Sequence, residues 1–283
     1  MIIFKKVAKL TEFLALQREK GKKTGFIPTL GALHAGHISL IETAKKRNDC
    51  TICSIFVNPT QFNDPSDFAK YPVTTDKDIA MLIDAGCSVL FLPSVSEIYP
   101  QGTDAFPQFE LGYLETILEG KFRPGHFQGV CKVVQRLLAI VQPDDLYMGQ
   151  KDYQQCMVIA RLLELEGWKD SMRLNISPTL RENDGLAMSS RNTRLNAEER
   201  TRAVAIFKAL TGIREDLRPN NLDKVKEQGM DMLRKHGLRP DYIEIATSDR
   251  LEVIHEWNGS DKLVALVAAY LGEVRLIDNM LLN

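Results

Sequence analysis

The first two thirds of the chain alternate short apolar runs with stretches of helical periodicity. The apolar runs are nearly continuous, which is typical of strands buried on both faces of a parallel sheet. We predict strands over Thr24–Pro28, Thr51–Val57, Ser88–Leu92, Leu146–Met148 and Met172–Ile176. We predict helices between them over Ile38–Arg47, Thr74–Ala85, Gln128–Val141 and Tyr153–Glu166. This alternation predicts a doubly wound α/β domain with right-handed crossovers.

The pattern changes after about Asn183. Two helical patterns are followed by three β-rich runs that we expect to pair in antiparallel fashion. The helices are predicted over Asn196–Leu217 and Leu222–His236, and the strands over Tyr242–Ala246, Leu263–Leu271 and Val274–Asp278. We therefore predict a smaller α+β domain over 183–283 after a first domain over 1–182, joined by the polar stretch Arg181–Gly185.

Composition removes several function classes. The 283 residues carry 36 Lys and Arg against 37 Asp and Glu, a net charge of −1, which argues against a protein that coats nucleic acid or an anionic membrane. The longest apolar run, Leu263–Leu271, is far shorter than the roughly 20 residues of a membrane-spanning helix. The N-terminus lacks the layout of a signal peptide. We therefore expect a cytoplasmic protein without nucleic-acid or membrane partners.

The five cysteines fit a reducing compartment. Cys50 and Cys53 have the spacing of a redox or zinc motif, but no second pair lies at metal-ligand spacing. The run around Cys53 is typical of a buried strand. We expect all five thiols to be reduced and inert.

The most informative segment follows the first predicted strand, which ends near Pro28. A turn of small residues leads to His34-x-Gly36-His37, and we expect a helix to begin at about Gly36. A helix N-terminus presents unpaired N–H groups and a positive dipole end, which suit a phosphate. The two imidazoles can donate hydrogen bonds to it. A capped helix with two surface histidines is the simpler alternative.

This strand–turn–HxGH–helix arrangement resembles the HIGH signature of the nucleotidyltransferase superfamily, whose members bind ATP beside the motif. The superfamily also has a mobile loop that closes over the triphosphate. Met188-Ser-Ser-Arg191 is similar to that loop, because it offers two hydroxyls and a planar guanidinium. Alone, it is more typical of a polar interdomain loop.

Further polar side chains follow predicted strands or precede predicted helices. Asn58 and Gln61 come after the second strand, where their amides can pair with a small polar substrate. Arg123 and His126 lie on a Gly/Pro loop. The segment 149–152 connects a strand to a helix, where Lys151 can neutralise phosphate charge and Asp152 can cap the helix or hold Mg²⁺ through water. An Asn-Pro turn and an ordinary strand–helix connection are the alternatives.

Together these segments resemble the pantoate–β-alanine ligase family. The motifs PTxGALHxGH, FVNPxQF, DFxxYP, RPGHFxGV, GxKDxQQ and DGLAMSSRN appear in family order from Pro28 to Asn192. The resemblance implies a homodimer with a Rossmann-like first domain and a smaller, lid-like second domain. It also implies that Mg²⁺-ATP activates (R)-pantoate as pantoyl adenylate with release of pyrophosphate. β-Alanine then gives pantothenate and AMP.

The resemblance also implies residue roles. The catalytic group would be His37, His34, Lys151 and Arg191. ATP would be bound by Leu30, Gly31, Ala32, Leu33, His34, Ala35, Gly36, His37, Gly149, Gln150, Lys151, Asp152, Leu180, Met188, Ser189, Ser190 and Arg191. Pantoate and β-alanine would be bound by Gln61, Gln155, Asn58, Arg123 and His126, with Tyr71 in support. No metal ligand is assigned, and the chemistry requires no covalent nucleophile.

The chain departs from the family pattern at three positions. Leu30 replaces the more usual Met, and Val73 replaces an Arg near the substrate mouth. Lys77 interrupts the acidic pair Asp76 and Asp78, which puts a metal role for these carboxylates in doubt. Two other hypotheses stay open: another HxGH enzyme that acts on a phosphorylated small molecule, and a binding protein with a degenerate site. Pyrophosphate release that depends on pantoate would distinguish a pantoate–β-alanine ligase from both of these alternatives.

Overall fold

The computed structural model describes residues 1–62, 68–69, 71–103 and 107–283. The chain forms two compact units, each assembled from two segments. The first comprises Met1–Gly149 and Val158–Ser177, and the second comprises Gln150–Met157 and Pro178–Asn283. The predicted domain limits, 1–182 and 183–283, stay a prediction. Over the described ranges, every helix is too short or too polar to cross a bilayer.

The first unit is built on a parallel sheet of six strands among the described residues. They are β1 Ile2–Phe4, β2 Thr24–Thr29, β3 Cys50–Ile55, β4 Val89–Phe91, β5 Asp145–Gly149 and β6 Arg173–Ser177. Their order is β1-β4-β3-β2-β5-β6, and every pairing is parallel. The chain moves outward from β2 to β4, then returns to the other side of β2 for β5 and β6. This reversal places the topological switch point between β2 and β5, where open α/β sheets bind ligands.

Helices connect these strands. They are α1 Val7–Glu19, α2 Ala35–Lys45, α3 Thr75–Asp84, α4 Val95–Ile98, α5 Leu118–Phe122, α6 His126–Val141 and α7 Tyr153–Leu165. Short 3₁₀ helices span Pro59–Gln61, Gly112–Glu115, Gln150–Asp152 and Ser190–Arg194. The predicted fold class is confirmed: a doubly wound α/β domain accompanied by a smaller α+β part.

Burial explains why the central strands read as continuous apolar runs. All six residues of β3 are buried, as expected for a strand covered on both faces. One face packs Ile27, Leu90 and Tyr147 against Ile41 of α2 and Leu82 of α3. On the other face, α6 contacts α1 and β2. This core holds the carboxyl ends of the strands in register for the site described below.

The second unit contains an antiparallel sheet of three strands in the order β7-β8-β9. Its elements are the helices α8 Ala197–Ala203, α9 Ala205–Asp216 and α10 Leu222–Lys235 and the strands β7 Arg239–Thr247, β8 Leu263–Leu271 and β9 Val274–Leu281. The single helix predicted over Asn196–Leu217 is wrong in one respect, because Val204 separates two helices. Ala203, Val204 and Ala205 are all buried, and three consecutive buried positions do not share one face of a straight helix.

Candidate active site

The turn after β2 is the first feature of the site. It leaves the sheet at Thr29, beside the switch point, and continues into α2. Gly31 and Ala32 both have positive φ, 83° and 50°. This conformation favours glycine and is strained for alanine. The turn therefore needs contacts elsewhere to hold Ala32.

A buried carboxylate provides these contacts. Asp78 of α3 is 1% exposed, and its two oxygens accept hydrogen bonds from the backbone N–H groups of Ala32 (2.9 Å) and Leu33 (2.8 Å). The hydroxyl of Thr74 donates to the same carboxylate at 2.9 Å. Asp78 thus stabilises the turn through hydrogen bonds to its backbone. The sequence suggests only a doubtful metal role for Asp78, because its backbone partners lie about 45 residues away along the chain.

The two histidines form the start of α2. His34 is the N-cap, and its Nδ1 accepts from the backbone N–H of Gly36 at 3.2 Å. The Nδ1 atom of His37 accepts from the backbone N–H of His34 at 3.3 Å. The ring centroids are 4.1 Å apart, and both side chains are half-buried. The capping alternative is therefore correct as a local description.

Capping also determines what the rings can do chemically. A backbone N–H can only donate, so both Nδ1 atoms are acceptors and carry no proton in this arrangement. The proton of each neutral imidazole then lies on Nε2. Two Nε2–H donors beside a helix N-terminus suit an anion with several oxygens, such as a phosphate chain. Capping and anion binding are compatible here, because they use different ring atoms.

The predicted substrate residues of the first unit meet in one network. The 3₁₀ helix Pro59–Gln61 packs against α6, and Asn58, its fully buried N-cap, donates from Nδ2 to Gln61 Oε1 at 3.2 Å. His126 Nδ1 bonds the backbone carbonyl of Gln61 at 2.8 Å. Arg123 Nη1 reaches His126 Nε2 at 3.0 Å. The structure thus brings Asn58, Arg123 and His126 together around Gln61.

A glycine permits the close approach of these elements. A Cβ atom on Gly129 of α6 would lie 2.0 Å from the carbonyl oxygen of Thr60 and 2.8 Å from the Cα of Gln61. Real side chains do not tolerate such contacts, so position 129 must remain without a side chain. The second glycine of RPGHFxGV, Gly129, therefore allows the backbone of Gln61 to lie against α6.

In the second unit, Asn279 of β9 contacts Gln150 and Lys151, which belong to the segment 149–152 that we predict to bind the nucleotide (the nucleotide segment). Its Nδ2 donates to the carbonyls of Gln150 (2.9 Å) and Lys151 (2.8 Å), and its Oδ1 accepts from Gln150 Nε2 at 3.1 Å. Lys151 Nζ lies 3.5 Å from Asp152 Oδ1. Asn279 is 1% exposed. It was not foreseen, because it lies 128 residues beyond Lys151 in sequence.

The hairpin that carries Leu180 and Met188 is the other part of this unit's candidate site. The N–H of Met188 donates to Leu180 O at 3.0 Å, which places two predicted ATP residues side by side. The next residue of the hairpin, Arg181, bonds Asp278 through both terminal nitrogens at 2.6 and 3.1 Å. Leu180 itself is 40% exposed, so its apolar surface is available to a ligand.

The segment Ser189–Arg191 follows this hairpin directly. Ser189 caps the 3₁₀ helix Ser190–Arg194, and its Oγ accepts from the backbone N–H of Arg191 at 3.2 Å. Ser189, Ser190 and Arg191 are half-buried. Gln155, in the first turn of α7, is also half-buried. Each of these groups belongs to the second unit, whereas Gly149 ends β5 in the first.

Three other expectations concern the segment near α3. Asp67 of the DFxxYP motif lies outside the described residues, whereas the Tyr71 ring lies 5.6 Å from that of Phe62. Val73 is 74% exposed, so the position where the family resemblance led us to expect Arg is a surface position. A cavity of about 230 Å³ is lined by the Gly31–Ala32 turn, the ends of β3 and β4 and the segment Pro72–Thr75.

Comparisons with known proteins decide the family. The model of a family described as pantoate-beta-alanine ligase matches residues 2–281. The chain belongs to the pantoate–β-alanine ligase family. The pantothenate synthetase of Porphyromonas gingivalis W83 is 43% identical over 282 residues, 99% of each chain. That of Cytophaga hutchinsonii is 41% identical over 285 residues, 100% of this chain and 99% of the relative.

Solved structures agree with this family assignment. The crystal structure of pantothenate synthetase from Thermus thermophilus has a TM-score of 0.89 and 39% identity, with 99% of both chains covered. The pantoate–β-alanine ligase of Francisella tularensis, complexed with beta-gamma ATP and beta-alanine, has a TM-score of 0.79 and 38% identity. The match covers 99% of this chain and 97% of that one. The predicted family and enzyme class are therefore confirmed.

Cys50, Cys53, Cys87, Cys131 and Cys156 are all buried thiols rather than halves of disulfides. Burial is the largest cause of a raised pKa for every one of them, and it raises the pKa of Cys131 to about 12. The CxxC pair lies within β3. Among the described residues, no cluster of three His, Cys, Asp or Glu side chains has the geometry of a metal site.

Proposed function

We propose that this ligase condenses (R)-pantoate with β-alanine, using ATP, to give pantothenate, AMP and pyrophosphate. The reaction passes through pantoyl adenylate. Support comes from membership of the family over residues 2–281 and from the chemistry of the residues that carry its motifs.

The observation that carries the proposal is the pair of imidazoles at the start of α2. Their Nδ1 atoms accept backbone hydrogen bonds, so each Nε2–H is a donor. They stand at the N-terminus of the helix that follows the first central strand, next to the switch point of the sheet. This arrangement suits a polyphosphate rather than a metal, because a metal ligand nitrogen must not carry a proton.

The first step makes the carboxylate of pantoate a better acyl donor. A carboxylate oxygen attacks the α-phosphorus of ATP, and the bond from that phosphorus to the pyrophosphate oxygen breaks. His34 and His37 donate hydrogen bonds to phosphate oxygens as their charge redistributes. Lys151 and Arg191 supply positive charge, as a point charge and a planar fork respectively.

The second step forms the amide. The amine of β-alanine attacks the acyl carbon, the bond from that carbon to the AMP oxygen breaks, and the nitrogen loses its proton. The side-chain amides of Gln61 and Gln155 orient pantoate for both steps. The backbone around Leu180 contacts the adenine, and Met188–Arg191 complete the triphosphate site. The Leu30–His37 and Gly149–Asp152 segments bind the nucleotide, with His34, His37 and Lys151 at its phosphates.

Mg²⁺ enters this proposal as part of the substrate. The family resemblance implies that the ion arrives bound to the triphosphate of ATP, and no side chain is assigned as its ligand. On family resemblance, we further propose that the enzyme is a cytoplasmic homodimer.

A direct assay tests the function. Enzyme, ATP and Mg²⁺ are mixed, and pyrophosphate is followed before and after pantoate is added; β-alanine is added last, and AMP and pantothenate are measured. We expect a stoichiometric burst of pyrophosphate with pantoate and steady turnover only with β-alanine. Pyrophosphate release that ignores pantoate, or that needs a phosphorylated small molecule instead, would refute the proposal.

A further inference from the structure

The amide of Asn58 has a fixed orientation inside the first unit. Its Nδ2 lies 3.3 Å from the carbonyl oxygen of Gly129, which can only accept a hydrogen bond. Its Oδ1 accepts from the hydroxyl of Tyr99 at 2.9 Å and from the backbone N–H of Thr60 at 3.3 Å. Asn58 and Tyr99 are 0% and 4% exposed. Donors thus hold the oxygen side, and an acceptor holds the nitrogen side.

This orientation determines that of the Gln61 amide. Asn58 Nδ2 donates to Gln61 Oε1 at 3.2 Å, so the oxygen of Gln61 faces Asn58. The Nε2 group of Gln61 is therefore turned the other way, as a donor with two hydrogens. A donor suits the carboxylate and hydroxyl oxygens of pantoate. The flipped amide would present an oxygen to a carboxylate and repel it.

The backbone of Gln61 is held separately. Arg123 can only donate, so the Nε2 atom of His126, 3.0 Å away, is the acceptor. The proton of that neutral ring is then on Nδ1, which donates to Gln61 O at 2.8 Å. His126 thus fixes the backbone of Gln61, whereas Tyr99 and Asn58 act on the side-chain amide of Gln61.

We propose that Tyr99 is a positioning residue for pantoate. Its hydroxyl orients the Asn58 amide, and Asn58 in turn orients the Gln61 amide so that Gln61 donates to the substrate. Tyr99 itself need not touch pantoate. This inference rests on the proposed function, since it assumes that Gln61 binds pantoate.

The state of the hydroxyl agrees with this role. Burial is the main cause of a raised pKa for Tyr99, so the phenol stays protonated at neutral pH and can donate. Tyr99 follows α4, 38 residues after Gln61 in sequence, and belongs to none of the family motifs quoted above.

The test compares two matched substitutions, Tyr99→Phe and Tyr147→Phe. Tyr147 is also buried and also hydrogen-bonds an asparagine, since Asn48 Nδ2 donates to its hydroxyl at 2.8 Å. Each variant loses one buried hydroxyl that bonds an asparagine, and the thermal unfolding of both variants is measured as the control for stability. The rates of pyrophosphate release are measured against pantoate and against ATP.

We expect Tyr99→Phe to raise the KM for pantoate about five- to tenfold, the equivalent of one lost hydrogen bond. The KM for ATP should change less than about twofold, and Tyr147→Phe should leave both constants near wild type. An unchanged pantoate KM in Tyr99→Phe, or an equal rise in Tyr147→Phe, would overturn the proposal.

A double-mutant cycle separates positioning from a general structural effect. In a Gln61→Ala background, Tyr99→Phe should no longer alter the pantoate KM, because no amide remains to be oriented. The same factor in both backgrounds would overturn the proposal. Wild-type enzyme without pantoate-dependent pyrophosphate release would instead refute the proposed function, and this inference with it.

Discussion

His34 and His37 illustrate how one residue serves folding and chemistry together. The Nδ1 atoms accept from backbone N–H groups at the start of α2, so the cap selects the tautomer with Nε2–H. A sequence can suggest phosphate binding by an HxGH motif, but it does not reveal which ring nitrogen donates. That assignment requires the cap geometry, in which each acceptor is identified by its donor.

The first prediction concerns His37. His37→Ala should lower the rate of pantoate-dependent pyrophosphate release by about 10²–10³-fold, as found when one donor to a developing charge is removed. His236→Ala, an exposed histidine at the end of α10, is the control and should keep the wild-type rate. Stopped-flow measurement of pyrophosphate release checks both. A His37→Ala rate within a few-fold of wild type would contradict the assigned role.

The second prediction concerns Asp78. In Asp78→Asn an amide nitrogen replaces an oxygen that accepts from the nucleotide turn, so one buried N–H of Ala32 or Leu33 loses its acceptor. We expect a loss of about 1–3 kcal/mol in the free energy of unfolding and a higher KM for ATP. Denaturant unfolding and steady-state kinetics measure these effects.

Asp76→Asn is the matched control for this change. Asp76 lies in the same first turn of α3 but is less buried than Asp78. Its substitution should leave both the free energy of unfolding and the KM for ATP near wild type. Equal stability of the two variants would show that Asp78 does not hold the turn.

At the scale of elements, strands β2 to β5 were predictable because burial leaves a plain apolar signal. Strand β6 was also predicted, although it lies at the sheet edge and is largely exposed or half-buried. Strand β1, Ile2–Phe4, was missed, since it has three residues at the sheet edge and the side chains of Ile2 and Ile3 are largely exposed. Strand β9 extends three residues beyond the predicted end at Asp278. Those residues include Asn279, so the missed end of the strand also hid a contact to the nucleotide segment.

The residues of the candidate site also fall into two groups, those that the sequence indicates and those that only the tertiary structure reveals. Motif residues such as Asn58 and Gln61 are recognisable because they are close in sequence and follow a buried strand. Three other residues act from distant positions in the sequence. Asp78 contacts the turn at Ala32, Tyr99 contacts Asn58, and Asn279 contacts Lys151. Nothing in the local pattern distinguishes these three from ordinary polar or aromatic residues. Their roles depend on tertiary contacts that a single sequence does not contain.

The third prediction tests the contact between α6 and the 3₁₀ helix Pro59–Gln61. Gly129→Ala places a Cβ against Thr60 and forces the backbone of Gln61 to move. We expect the pantoate KM to rise about tenfold or more, with a smaller change for ATP. The free energy of unfolding should fall by about 1–3 kcal/mol.

The control is a glycine of α9 with open space around it. A Cβ at Gly212 would have no neighbour within 4 Å, so Gly212→Ala should stabilise the protein by roughly 0.5–1 kcal/mol. Its kinetic constants should stay unchanged. Unfolding curves of the two variants that shift in the same direction would contradict this account of the contact.

At the scale of the whole molecule, the five cysteines contribute packing rather than chemistry. Burial raises their pKa values above the ordinary thiol value. A raised pKa keeps a thiol protonated at about pH 8, and only the thiolate is an effective nucleophile. This agrees with a ligase mechanism in which no covalent enzyme intermediate forms.

The fourth prediction follows from these pKa values. Native enzyme at about pH 8 should show almost no reaction with a thiol-specific disulfide reagent, whereas enzyme in concentrated guanidinium should show five equivalents, one for each cysteine. Absorbance of the released chromophore gives both numbers. Rapid reaction of one thiol in the folded enzyme, accompanied by loss of activity, would place a reactive cysteine in the mechanism and contradict this interpretation.

The central claim is that the carboxylate of pantoate attacks the α-phosphorus of ATP. Pantoate labelled with ¹⁸O in both carboxylate oxygens tests it most directly, with the AMP from complete turnover analysed by mass spectrometry. An acyl adenylate requires one labelled oxygen to leave with AMP when β-alanine attacks, so the account predicts AMP heavier by one ¹⁸O. Unlabelled AMP, or the label in inorganic phosphate together with ADP, would contradict it.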